Sequence, residues 1–192
     1  MPWSIKELSD HAVLDELESQ TDRGATLIAG AYLEDRLIDA IKARTNRHAD
    51  IENRFYKGHG PLASFSAKID LGYLLGIYDE TFCRFLHVIR RIRNEFAHQF
   101  QPLNFDSQKI RDLCANIAVS AEIELTEKGG RHQKITFKIR RGKTPKEQFI
   151  NAIQLAIFVL DMEIKFLPLR KPAPPVYPQG LLHEPPSSPE KS

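Results

Sequence analysis

The chain has little of what marks secreted, membrane or metal-rich proteins. It contains two cysteines among 192 residues, so it can build neither a disulfide framework nor a Cys-rich zinc site, and we expect a reducing, cytoplasmic setting. Its longest nearly apolar run, Ala152 to Leu160, falls well short of the ~20 residues that span a bilayer. The N-terminal segment is rich in acids and lacks the apolar region of a secretory signal. We therefore expect no membrane association.

An excess of one charge is also missing. The formal net charge is +2, so overall electrostatics do not indicate a nucleic-acid partner. The distribution is less even, because the segment from Lys128 to Lys146 carries eight basic residues and no acid. Such a segment can follow a phosphate backbone. The residues within it that we predict to contact nucleic acid are Lys134, Lys138, Arg140 and Arg141.

The composition that remains is that of one ordinary folded domain. Hydrophobic residues make up 42% of the chain and charged residues 27%, which is typical of a globular protein. We predict a mainly α, single-domain helical bundle of about five to six helices with one small β-hairpin insertion. The folded domain covers residues 1–168, with the hairpin at about 121–141. Residues 169–192 form a proline-rich tail with too little apolar content to fold alone.

Capping residues divide the helical part of the chain. Apolar residues recur at three- and four-residue steps after each of several Ser, Thr or Asp residues, which is typical of amphipathic helices with side-chain caps. The predicted starts are Ser4, Thr21 or Asp22, Ser64 or Ser66, Asp79, Asp106 or Ser107, and Thr144. The segment from His48 to Ala63 contains Gly58, Gly60 and Pro61, so it is predicted to be a surface connection.

The pattern changes to a period of two between Glu122 and Arg140, which predicts a β-hairpin that turns at Gly129-Gly130. Aligning its apolar residues places Leu125 opposite Ile135 or Phe137. Either register also sets glutamates of the first strand beside basic residues of the second. Cross-strand ion pairing is therefore an alternative explanation for the basic run.

The helix that begins at Asp79 has two distinct faces. Its apolar residues form one stripe that should face the core: Phe82, Phe85, Ile89, Ile92 and Phe96. On a helical wheel the opposite side carries a polar arc of about 80°, here called the basic face: Arg84, His87, Arg91, Asn94 and His98. Arg84, His87 and Arg91 are predicted to contact nucleic acid, although a simply solvated face is the alternative.

The end of the same helix carries a chemically suggestive group. Arg93, Asn94 and His98, here called the C-terminal trio, lie within one hemisphere, with Arg93 and His98 about 140° apart. A guanidinium, an amide and an imidazole so placed can bind or cleave a phosphodiester.

Three ordered stretches together resemble the mannitol repressor (MltR) family. They are Thr21–Ala25 leading to Leu33–Leu37, then Gly60–Leu71, then Ile89–His98, and the resemblance extends to Ile110–Cys114. It implies an α-helical bacterial domain that regulates transcription of sugar-alcohol uptake genes and lacks a recognisable helix-turn-helix.

The Arg-Asn-x-x-x-His spacing of the C-terminal trio also resembles the signature of the HEPN superfamily. These are helical domains that often dimerise, and some are metal-independent endoribonucleases. The resemblance implies that Arg93 stabilises phosphorane charge, His98 acts as general base or acid, and Asn94 positions a phosphate or His98. Other members carry or lose the motif and bind nucleotides or proteins without cleaving them.

Two functions follow as hypotheses. The first is a cytoplasmic transcriptional regulator of the mannitol repressor type, acting through protein partners or through nucleic-acid phosphates. The second is a HEPN-type ribonuclease, a toxin or defence nuclease that leaves 2′,3′-cyclic phosphate ends, so whether the chain is an enzyme stays open. A purely scaffolding protein is a third possibility. A homodimer is expected.

No cofactor and no metal site are expected. The matching motifs contain the acids Glu34, Asp35 and Asp70, but no His/Asp/Glu cluster shows ligand spacing. These acids are instead predicted to pair with arginines such as Arg23, Arg36 or Arg93.

Overall fold

A computed structural model describes residues 16–99, 101–117, 120–126, 132–138 and 142–166. Residues 16–19 are the helical end of the predicted first helix. The elements that follow are α1 (Asp22–Arg44), α2 (Ala49–Tyr56), α3 (Phe65–Leu74), α4 (Glu80–His98), α5 (Gln108–Ala115), β1 (Ser120–Thr126), β2 (His132–Lys138) and α6 (Pro145–Phe166). The fold is therefore a mainly α, single-domain bundle, as predicted. Among the described helices, none combines the length and apolar character that crossing a bilayer requires.

The predicted caps begin four of the helices. In each case the side-chain oxygen accepts a hydrogen bond from the backbone N–H three residues further on, which satisfies one of the amides left over at a helix start. These caps are Thr21, Ser64, Asp79 and Thr144. Gly76 follows α3 with φ +66°, a left-handed conformation that glycine adopts without steric cost. The chain can therefore turn sharply from α3 into α4.

The segment from His48 to Ala63 follows the end of α1 and has no buried residue, as predicted for a surface connection, but its first half forms the short helix α2. Glu52 stabilises this helix with two ion pairs, one with Lys42 Nζ at 3.0 Å and one with Arg47 Nε at 2.7 Å. These bonds hold the pKa of Glu52 at about 2. No residue of α2 is buried, and its two apolar residues one helical turn apart, Ile51 and Phe55, are both exposed.

The core lies where α1, α4 and α6 meet, and α3 packs against both α1 and α4. The predicted stripe of α4 faces this core, and all of its members are buried: Phe82, Phe85, Ile89, Ile92 and Phe96. Leu33 and Leu37 of α1 and Phe149 and Ile153 of α6 are fully buried against it. Burial of the apolar stripe therefore fixes which side of α4 is left for polar residues.

The hairpin forms, but both predicted registers are wrong. The strands are antiparallel, with Leu125 opposite Gln133, Ile123 opposite Ile135, and Ser120 rather than a glutamate opposite Lys138. The observed register differs from the nearer prediction by two residues. Such a shift keeps every residue on the same side of the ladder, so the alternation of apolar residues cannot detect it.

Several predictions fall on residues outside the described ranges. These are the helix start at Ser4, the turn at Gly129-Gly130, the basic residues Arg140 and Arg141, and the tail 169–192.

Candidate functional site

The basic face of α4 is divided by its neighbours. Arg84, Arg91 and His98 are exposed, whereas His87 and Asn94 are half-buried. A helical wheel places all five together because it treats the helix as isolated. In the folded chain α3 packs along one edge of this face, so only the other edge is fully open to solvent.

Arg93 and Asn94 are bonded to each other. The Arg93 Nη1 donates a hydrogen bond of 3.0 Å to the Asn94 Oδ1, and both side chains are half-buried. The aliphatic part of Arg93 lies over Gly30 of α1, where a Cβ would come within 2.8 Å of the Arg93 Cγ. The absence of a side chain at Gly30 therefore allows Arg93 to pack closely on α1.

His98 is the last residue of α4 and its side chain is exposed. The chain that follows is held by Arg23 of α1, whose Nη2 donates to the carbonyl oxygens of Gln99 and Gln101. Arg23 thus binds backbone carbonyls and not the acid predicted for it, and no local pattern in the sequence indicates this contact. The last turns of α4 thus carry an exposed imidazole and, on another side of the helix, a guanidinium bonded to Asn94. Each of these groups can bind an anion.

The acids along α4 are already paired. Glu80 lies 3.5 Å from Arg84 in an exposed pair, and Glu95 lies 2.7 Å from Lys109. Within the described residues, Arg91 and Arg93 have no carboxylate at ion-pair distance. The positive charge on the open edge of the basic face is therefore only partly neutralised.

The prediction that acids of the motifs pair with arginines is wrong for Glu34 and Asp70. Glu34 accepts a charge-assisted hydrogen bond from the buried Lys68. Asp70 Oδ1 lies 3.0 Å from His87 Nε2. His87, predicted to contact nucleic acid, is therefore already engaged with a carboxylate of α3.

Asp70 and His87 also lie close to Cys83. One carboxylate oxygen, the thiol sulfur and one imidazole nitrogen all lie within 4.8 Å of one another, and we call these three residues the triad. Sequence reasoning missed this cluster. The four-residue step from Cys83 to His87 was visible, since it places both on one side of a helix, but nothing in the sequence placed Asp70 beside them.

The two thiols differ in their surroundings. Burial, together with the nearby Asp70 and Glu80, raises the pKa of Cys83, which Arg84 partly opposes. Burial alone raises the pKa of Cys114 to about 12. Cys83 therefore has charged neighbours, whereas Cys114 sits among apolar ones.

Of the four basic hairpin residues predicted to contact nucleic acid, two lie on β2 and two lie outside the described ranges. Lys134 and Lys138 lie on β2, opposite Glu124 and Ser120 in the ladder. Their contact with nucleic acid remains a prediction.

Comparison with known proteins identifies a fold. No protein-family profile matches the chain, and no curated protein matches it. A chain in the X-ray structure of the MtlR–HPr complex from Escherichia coli superposes with a TM-score of 0.57 at 13% sequence identity. The match covers 79% of this chain and 97% of that chain. The helical bundle is thus similar to nearly the whole of a chain from that complex.

Proposed function

We propose that this protein is a regulator of the mannitol repressor type that binds a protein partner through the open edge of the basic face of α4. The observation that carries the proposal is the shared fold, which extends over 97% of a chain from the MtlR–HPr complex. The motifs at Thr21–Ala25, Gly60–Leu71 and Ile89–His98 point to the same family. An HPr-type protein is the proposed partner.

The charges of α4 support binding to an acidic surface. Arg84, Arg91 and His98 are exposed along one edge, and Arg91 has no ionic partner among the described residues. Complementary charge steers association and selects partners. The desolvation cost is small when the charged groups stay in contact with water. The half-buried His87 and Asn94 lie on the other edge and contribute less to such a surface.

We further propose that the protein is a cytoplasmic homodimer that also contacts nucleic acid. The basic residues of the hairpin, Lys134, Lys138, Arg140 and Arg141, would contact phosphates of operator DNA. Such binding weakens steeply as salt rises, because each neutralised phosphate releases counterions. Titration of the full chain with operator DNA at two salt concentrations tests this part separately from the protein partner.

Calorimetric titration with the HPr of the organism that encodes this chain tests the proposal. We expect binding to the wild type, and we expect the double variant Arg84→Glu/Arg91→Glu to weaken it at least ~10-fold, because like charges facing each other across an interface cost more than a lost rim contact. Arg54→Glu, on the exposed surface of α2, is the matched control and should bind as the wild type does. Absence of binding, or equal loss in the control, would reject the proposal.

The geometry of the C-terminal trio favours ribonuclease activity as a second candidate function. His98 is exposed, and Arg93 is fixed by an amide rather than neutralised by a carboxylate. These are the states that a general base or acid and a phosphorane-stabilising cation need. Two protomers of a dimer would contribute the groups to one cleft.

Incubation of the full chain with single-stranded and structured RNA in EDTA tests this second function. We expect cleavage that leaves 2′,3′-cyclic phosphate ends and that is lost in His98→Ala and Arg93→Ala proteins of unchanged circular dichroism. His59→Ala, a change at another exposed histidine, should cleave normally. RNA that stays intact with the wild type, or activity that survives in both trio variants, would rule out the nuclease.

A further inference from the structure

The triad joins two helices at the start of α4. Cys83 and His87 are one helical turn apart on α4, and Asp70 faces them from α3. Their potential ligand atoms lie within 4.8 Å of one another, and Asp70 Oδ1 is 3.0 Å from His87 Nε2. Neither the proposed binding of a protein partner nor the proposed ribonuclease activity requires Asp70, Cys83 and His87 to lie together.

We propose that Asp70, Cys83 and His87 bind a zinc ion that links α3 to α4. Thiolate, imidazole and carboxylate are the three ligand types that Zn²⁺ takes in proteins. A thiolate and a carboxylate together carry two negative charges, and a neutral imidazole adds none, so the set neutralises one divalent cation. Water fills the fourth position of the tetrahedron, as it does in zinc sites with three protein ligands.

The distances fit such a site with small side-chain movements. Ligand atoms on one tetrahedral zinc lie ~3.3–3.6 Å apart, because bonds to nitrogen and oxygen are ~2.0–2.1 Å and bonds to sulfur ~2.3 Å. The 3.0 Å between Asp70 and His87 is slightly shorter, and the 4.8 Å limit for the whole triad is about one ångström longer. Binding of one ion therefore requires the Asp70 and His87 atoms to separate slightly and the Cys83 sulfur to approach them by about one ångström.

The backbone around the triad is fixed before any ion binds. Asp79 caps α4 through a hydrogen bond of 2.8 Å from the Phe82 N–H, one residue before Cys83. Gly76 provides the left-handed turn that returns the chain from α3 to α4. Two of the ligands thus sit on a capped helix and the third on the helix that precedes it. A preformed arrangement of this kind lowers the entropic cost of binding an ion, because fewer groups must be ordered when the ion binds.

An ion can reach the triad from solvent. The Asp70 side chain is 61% exposed and that of His87 is 28% exposed, whereas Cys83 lies beneath them with 9% of its surface exposed. Cys114, the other cysteine, is 1% exposed and belongs to no such cluster among the described residues. It is therefore a matched control for a buried thiol that does not bind metal.

Titration of the full chain with Co²⁺, and with Zn²⁺ against a chromogenic chelator, tests the proposal. We expect one ion per chain and, with Co²⁺, the absorption band that a cobalt–thiolate bond gives. Cys83→Ala should lose this band, whereas Cys114→Ala should keep it. Asp70→Asn and His87→Gln should weaken Zn²⁺ binding at least ~10-fold, the lower end of what loss of even an outer partner of a zinc ligand costs.

A second measurement covers the case in which Cys83→Ala fails to fold. Asp70 is exposed, so Asp70→Asn leaves the core intact. Zn²⁺ should raise the melting temperature of the wild type, because an ion that binds only the folded state stabilises it, and it should raise that of Asp70→Asn much less. Binding of no ion, a cobalt–thiolate band that persists in Cys83→Ala, or equal stabilisation of wild type and Asp70→Asn would overturn the proposal.

Discussion

Two polar centres on the same helix differ in what covers them. The triad lies where α3 packs on α4, and its histidine is held by a carboxylate of α3. The C-terminal trio lies at the other end, where α1 supports Arg93 through Gly30 and leaves His98 exposed. Both histidines belong to one arc of the helical wheel. The neighbouring helix, rather than the position on the wheel, therefore decides whether a polar group is satisfied within the chain or available to a partner.

The position of α3 depends on a buried cation. Lys68 is 3% exposed, and its ammonium donates to the Glu34 carboxylate on α1 and, at 3.2 Å, to the Ala63 carbonyl. A buried charge is tolerated only when it is paired and hydrogen-bonded. This ion pair ties α3 to α1 and so keeps Asp70 in place beside α4.

The largest effect should come from removing that tie. Lys68→Met is expected to lower the free energy of unfolding by about 3 kcal/mol, because it leaves the partly buried Glu34 without its cation. Lys109→Met breaks the exposed pair with Glu95, whose lysine is 62% exposed, and should cost at most ~1 kcal/mol. Urea denaturation measures both. Equal costs for the two variants would show that the buried pair does not anchor α3.

The second largest loss of stability should come from a substitution beside the C-terminal trio. Gly30→Ala is expected to lower the free energy of unfolding by ~1–3 kcal/mol, because its Cβ would press on Arg93 and overpacking outweighs the ~1 kcal/mol that alanine gains in a helix. In an Arg93→Ala background the same change should stabilise the protein. A double-mutant cycle in urea measures the coupling. A stabilising Gly30→Ala in the otherwise unchanged chain would contradict the close packing.

The smallest losses of stability are expected for substitutions of the two histidines, His87 and His98. His87→Gln should cost ~0.5–1.5 kcal/mol, since it removes the hydrogen bond to Asp70. His98→Gln should stay within about 0.5 kcal/mol of the wild type, as is usual for exposed side chains. Thermal unfolding without added metal measures both values. A larger cost for His98→Gln would mean that its ring serves the fold.

Sequence reasoning reached the parts of the structure that depend on local signals. The caps at Thr21, Ser64, Asp79 and Thr144 and the buried stripe of α4 follow from residue type and spacing. The helix α2 was not predicted, because Gly58, Gly60 and Pro61 indicate an irregular segment only after Tyr56, whereas α2 precedes them and is held by the two ion pairs of Glu52. The hairpin register was not determined either, since a shift of two residues preserves the alternation.

Only those relations of the candidate site that lie within one helix could be predicted from the sequence. The spacing of Arg93, Asn94 and His98 placed them at one helix end, and that of Cys83 and His87 on one side of the helix. The contacts from other helices, Asp70 to His87 and Gly30 to Arg93, depend on packing between elements far apart in sequence. Periodicity carries no information about such contacts.

The function proposed for α4 requires His98 to be available to a partner while His87 is held within the chain. NMR spectra of the imidazole rings test both histidines in one titration. The signals are assigned with His87→Gln and His98→Gln, and the spectra are recorded without metal as HPr is added. We predict that the signals of His98 shift with saturation and that those of His87 stay unchanged. Signals of His87 that shift while those of His98 do not, or no change at either ring, would show that the exposed end of α4 is not the partner surface.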